Sequence, residues 1–118
     1  MEITQRVEGS VTLVQPDGRI DTEAAEQLDQ VLQAAVAEGH SRIVVDMSKV
    51  EYISSAGLRS LAAVLVRCRD EGGDMKLAAL NERVTRVFKI IGFDLLMSVT
   101  DTPEAAIADF STGATSEP

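Results

Sequence analysis

The adjacent hydroxyls of Ser54 and Ser55 are the side chains whose type and placement could do chemistry in this chain. They fall between an apolar, β-branched run, Arg42-Ile43-Val44-Val45-Asp46-Met47, and a segment in which Leu58, Leu61, Ala62, Leu65 and Val66 recur at the spacing of one helix face. A hydroxyl at a helix start has two uses. Its oxygen can accept a hydrogen bond from an unpaired amide of the first turn. Alternatively it can stand in solvent as the acceptor of a phosphoryl group, which adds about −1.5 to −2 charges at neutral pH. Ser54 as cap with Ser55 outward, and the reverse arrangement, both fit the spacing.

Other chemistries have little support. Cys68 is the only thiol, so no intrachain disulfide can form, and its place beside the apolar stripe predicts a buried, inert group. His40 is the only imidazole, and Glu38-Gly39-His40-Ser41 reads as a helix-ending glycine followed by a surface turn. One Cys and one His far apart provide no zinc spacing and no nucleophile–base pair. Gly72-Gly73 is a turn signal rather than part of a phosphate-cradling loop. No metal or cofactor is expected, and an enzyme would have to work with carboxylates alone, among which no pair stands out.

The formal net charge of −8 argues against a nucleic-acid groove, which needs concentrated lysine and arginine. Arg67 and Arg69, and Arg83, Arg86 and Lys89, are the local basic clusters, and both read as solvated helix faces. Acidity of this size suits a basic protein partner. A chain of 118 residues holds one domain, and 45% hydrophobic with 25% charged residues is ordinary for a globular one. Three Phe, one Tyr and no Trp leave an aliphatic core. No apolar run approaches the roughly 20 residues of a membrane span. Glu2 and Glu8 make the N-terminus unlike a signal peptide, so a cytoplasmic location without membrane insertion is expected.

The elements that must position the serines follow from pattern. Residues 2 to 7 and 10 to 16 predict two strands joined through Glu8-Gly9, and Pro16-Asp17-Gly18 predicts a turn. Asp21 or Thr22 can cap a helix beginning at Glu23, with Leu28, Val31, Leu32, Ala35 and Val36 inward and Gly39 at its end. A strand at 42 to 47 leads into a serine loop, Tyr52 to Gly57, and a second helix runs to about Asp70. Residues 75 to 80 read as a strand, Asn81 as a cap, and Val84, Val87, Phe88 and Ile91 as a short helix stopped by Gly92. A short strand is expected within residues 93 to 99. Thr102-Pro103 starts a last helix with Ala106, Ile107 and Phe110 inward. The result is an α/β domain over residues 1–110, with a mixed, mostly parallel sheet of four to five strands and about four helices. Residues 111–118 read as a polar tail.

The segment Asp46 to Arg59, with Gly18-Arg19-Ile20-Asp21 before it, resembles the STAS domain, and within that group bacterial anti-sigma-factor antagonists. The resemblance covers about residues 3 to 110. In that family an aspartate, a phosphorylatable serine, a further small hydroxylated residue and a glycine open the helix. Here Ser54, Ser55, Ala56 and Gly57 stand in those places, so the chain departs from the pattern at Ser54 and Ala56.

The resemblance implies a regulatory binding module rather than an enzyme. Unmodified, it would bind an anti-sigma factor that is also a serine protein kinase. Phosphorylation of Ser55, with Ser54 as runner-up, would release it, and a metal-dependent serine phosphatase would restore it. The implied partner-facing residues are Asp21, Ser54, Ser55, Ala56, Gly57, Leu58 and Arg59. For Asp21 a helix cap, for Gly57 and Ala56 local geometry, and for Asp46 and Ser48 a structural loop role are simpler readings. STAS domains also serve as subunits of lipid-transport ABC systems and as scaffolds of stress-signalling assemblies, and self-association as a homodimer is compatible with the sequence.

Overall fold

A computed structural model of the protein describes residues 1–111. Strand β1 (Glu2–Glu8) turns at Gly9, whose φ of +64° suits a tight hairpin, and pairs antiparallel with β2 (Val11–Ile20) from Glu8↔Val11 to Glu2↔Asp17. Helix α1 (Thr22–Ala37), strand β3 (Arg42–Asp46), strand β4 (Val50–Ile53) and helix α2 (Ser55–Asp70) follow. The chain continues through β5 (Asp74–Ala78), α3 (Glu82–Ile91), a 3-10 turn (Phe93–Leu95), β6 (Ser98–Thr100) and α4 (Pro103–Ser111). The expected tail lies outside the described residues except for Ser111, which closes α4.

Among the described residues the sheet has six strands in the order β1-β2-β3-β5-β6, with β4 on β2, and all pairings except the first hairpin are parallel. Alternation along the strands divides the core between two layers. Val14, Ile20, Ile43 and Val45 join the α1 and α2 side chains Leu28, Leu32, Leu61, Val64 and Leu65. Val11, Leu13 and Val44 face Ala106 of α4, with Ile107 and Phe110 packed alongside. Phe88 on α3 closes one end against Phe93, ring edge to face at 5.8 Å.

Several local readings are corrected. Pro16-Asp17-Gly18 is not a turn but part of β2, which continues to Ile20. Pro16 lies opposite Ile3, and the irregularity its neighbours signal is absorbed by a register shift between Gly18 and Arg19, with Gly18 at φ +122°. Tyr52 and Ile53, expected in the serine loop, belong to a strand, Val50–Ile53, which is the strand beyond the expected four to five. It forms because the end of β2 offers it a partner, in the register Gly18↔Val50, Arg19↔Tyr52 and Ile20↔Ile53. A four-residue strand with exposed Glu51 carries little pattern of its own. Val66 and Ile91, counted on apolar helix faces, are exposed: Val66 falls at the edge of its stripe, and Ile91 is the last residue of α3.

Candidate site at the start of helix α2

Strand β4 delivers the serine pair. Its last residue, Ile53, is the register partner of Ile20, and the next amide, Ser54 N–H, donates to the Ile20 carbonyl at 2.8 Å. Ser54 thus takes an extended backbone, φ −84° and ψ 169°, that cannot continue the helix but can cap it. Its Oγ accepts from the Gly57 amide at 3.2 Å, and its carbonyl accepts from Leu58 N at 3.0 Å. Ser55 is the first helical residue. It is exposed, and its hydroxyl has no hydrogen-bond partner among the described residues.

The residues around Ser55 divide by direction. Gly57 is buried, and a Cβ there would come within 2.7 Å of Ile53 Cγ1 and 2.8 Å of Ile20 Cγ2. The glycine lets the first turn of α2 sit directly on the paired ends of β2 and β4. Leu58 is buried in the core and Ala56 packs against it half-covered. Neither Gly57 nor Leu58 presents a free surface; both hold the loop down. Arg59 is exposed and makes no hydrogen bond or ion pair among the described residues.

Asp21 lies beside this loop for a topological reason. It follows Ile20 as Ser54 follows Ile53, so two parallel strands end in register and each hands on to a capped helix. The Asp21 carboxylate accepts from Ala24 N at 2.8 Å while remaining exposed. The electrostatics of the two helix starts differ. Helix α1 has Glu23 in its first turn, as α3 has Glu82 and α4 has Glu104, whereas α2 has no acidic residue there. Its positive dipole end is uncompensated where Ser55 stands.

Asp46 belongs elsewhere. It is 6% exposed, and its carboxylate accepts from Gln15 Nε2 at 2.7 Å and from Ser48 N at 3.0 Å, tying β2 to the turn after β3. The structural reading of Asp46 therefore holds, and Ser48 takes part through its amide alone. Sequence reasoning missed two supports of the loop. Arg19 lies over the Tyr52 ring at 4.7 Å, a cross-strand contact invisible without β4. Asn81 caps α3 through Val84 N at 2.8 Å and also donates to the Val50 carbonyl at 3.0 Å and the Glu51 carbonyl at 3.3 Å, clamping β4 from behind. An isolated cap residue gives no sign of the second duty.

Away from the site, Cys68 is fully buried in α2, and burial, reinforced by Asp74 and opposed by Arg67, pushes its thiol up to about 11. It is a packed apolar group rather than a nucleophile. No helix among the described residues is long and apolar enough to cross a membrane.

The chemistry available at the start of α2 is thus the free hydroxyl of Ser55 at a helix N-terminus that has no first-turn acid. The model of the STAS domain matches residues 2–106. A Bordetella bronchiseptica protein provisionally named as the anti-sigma factor antagonist BtrV is 40% identical over 95 residues, covering 80% of this chain and 82% of that protein. The anti-sigma-B factor antagonist of Staphylococcus epidermidis is 28% identical over 91 residues, 77% of this chain and 84% of its own. The crystal structure of an anti-sigma factor antagonist from Mycobacterium paratuberculosis superposes with a TM-score of 0.81 at 29% identity, covering 91% and 92% of the two chains.

Proposed function

The chain belongs to the STAS domain family, and on that premise we propose that it is an anti-sigma-factor antagonist switched by phosphorylation of Ser55. The observation that carries the reading is the division of labour in the serine pair, with Ser54 committed to the cap and Ser55 exposed with its hydroxyl free. In the unmodified form the surface around Ser55, Arg59 and Asp21 docks on an anti-sigma factor, which leaves its sigma factor free for transcription. The anti-sigma factor is a serine protein kinase. It transfers the terminal phosphoryl group of ATP to Ser55 Oγ, whose proton leaves as ADP is released, and a metal-dependent serine phosphatase hydrolyses the ester. ATP and metal belong to those enzymes, and this chain, working in the cytoplasm, is their substrate.

The energetics suit a switch. A phosphate at a helix N-terminus meets free amides and the positive dipole end, so the domain stays folded. A standard interface buries roughly 1,600 Å² in total, and an unmatched charge pressed into it costs several kcal/mol. About 2.8 kcal/mol is a hundredfold in affinity.

Titration calorimetry of the organism's anti-sigma factor with two variants tests this. Ser55→Ala should bind within about threefold of the natural chain, and Ser55→Asp at least about tenfold more weakly. Equal binding by both would contradict the switch; co-purification with an ATPase would favour a lipid-transport subunit instead, and a large oligomer an assembly scaffold.

A further inference from the structure

Arg59 stands four residues after Ser55 on the same helix, and the two are neighbours on its surface. Both are exposed. The residue three positions on from Ser55, Leu58, points into the core, so Arg59 is the nearest charged side chain on Ser55's own face of α2. It is uncommitted, with no hydrogen bond, ion pair or ring contact among the described residues. The other cations of this helix are engaged: Arg67 donates to Gln33 Oε1 at 2.6 Å, and Arg69 donates to Asp74 at 3.0 Å and to the Leu96 carbonyl at 2.9 Å.

Arg59 lies in the second turn, beyond the first turn within which the positive end of the dipole acts, and α2 has no first-turn acid for it to pair with. An anion at Ser55 would supply that partner. Anion before cation at the four-residue spacing is the favourable order for such a pair. A phosphate brings about two charges and three acceptors, and the guanidinium fork matches its oxygens.

We propose that Arg59 is the internal acceptor of the Ser55 phosphate: phosphorylation closes an intrahelical pair that fixes the phosphate over the first turn and withdraws Arg59 from the docking surface. The inference rests on the proposed phosphorylation of Ser55. It adds that modification acts twice, by presenting negative charge and by taking away a cation that the unmodified surface offers an incoming protein. The charged groups on the elements beside this helix start are Asp17 and Arg19 on β2, Asp21 and Glu23 at the start of α1, Glu51 on β4, and Glu82, Arg83 and Arg86 of α3, which line a cleft with Glu51. Arg19 is held over Tyr52 and the Asp21 carboxylate caps α1.

The test uses the full chain with phosphoserine installed at position 55 during synthesis, so no kinase is needed. Phosphorus NMR follows the second ionisation of the phosphate in this chain and in its Arg59→Gln, Arg59→Lys and Arg19→Gln variants. The dipole acts equally in all four and cancels. Proton affinity of the phosphate should rise about threefold in Arg59→Gln, rise less in Arg59→Lys, and stay unchanged in Arg19→Gln. The Arg59 Nε–H resonance should also move when phosphate is present. Identical titrations for the natural chain and Arg59→Gln, or a shift produced by Arg19→Gln instead, would overturn the assignment. Since the phosphate is installed, these results stand apart from whether cells ever modify Ser55.

Discussion

Asp21 and Ser54 occupy equivalent places on two parallel strands. Each follows one of the register partners Ile20 and Ile53, and each caps the helix that begins next. The Ser54 amide is bonded to the Ile20 carbonyl, one residue from Asp21, so the starts of α1 and α2 form one structural unit. The first prediction concerns that unit's serine. Ser54→Ala should cost about 1 kcal/mol in denaturant unfolding and Ser54→Asp very little, because aspartate also caps. Neither should remove the phosphorylation site, as mass spectrometry of the two variants would check.

For Asp21, charge and cap can be separated. Asn caps about as well as Asp, so Asp21→Asn should unfold within about 0.5 kcal/mol of the natural chain while Asp21→Ala loses about 1 kcal/mol. If the carboxylate also faces the partner, the Asn variant binds the anti-sigma factor several-fold more weakly without change in stability. Calorimetry beside a denaturation curve measures both.

Gly57→Ala sets two effects against each other. Alanine gains up to about 1 kcal/mol in helix propensity. The added methyl, however, meets Ile53 Cγ1 at 2.7 Å and Ile20 Cγ2 at 2.8 Å, and overpacking of that kind costs about 1–3 kcal/mol. A net loss of about 1 kcal/mol is expected from urea unfolding.

How far these contacts were legible in the sequence depends on whether their cause is local. The helix periodicities, the Gly39 and Gly92 stops, the Asn81 cap and the apolar run at 42 to 47 are local signals, and the elements follow them closely. Ser54 and Ser55 were recognisable as a pair at a helix start. Which of them caps is decided by Ile20, whose carbonyl fixes the Ser54 backbone, and that contact spans the whole of α1 and β3. The same long-range pairing makes a strand of Val50–Ile53, while pairing with β1 through Ile3↔Pro16 and Glu2↔Asp17 carries β2 past Pro16-Asp17 against its turn chemistry. Gly57 read as a turn residue because nothing in its neighbourhood announces the two isoleucine side chains beneath it.

Cys68 gives a pH dependence. The thiol ionises near 9.0 in its ordinary state and near 11 in the folded chain. The folded chain therefore keeps a proton that the unfolded chain releases. Its contribution to stability is intact below about pH 9 and is lost as pH rises toward 11. Cys68→Ala should flatten that part of the stability–pH curve, and alkylation of the native chain at about pH 8 should be undetectable until denaturant is added.

The central claim is that Ser55, and not Ser54, receives phosphate. The most direct measurement is tandem mass spectrometry of the chain isolated from its own cells, across growth and stress, on the tryptic peptide from Val50 to Arg59. Phosphate localised to Ser55 is the predicted result. Phosphate on Ser54, or an unmodified peptide under every condition, would contradict it.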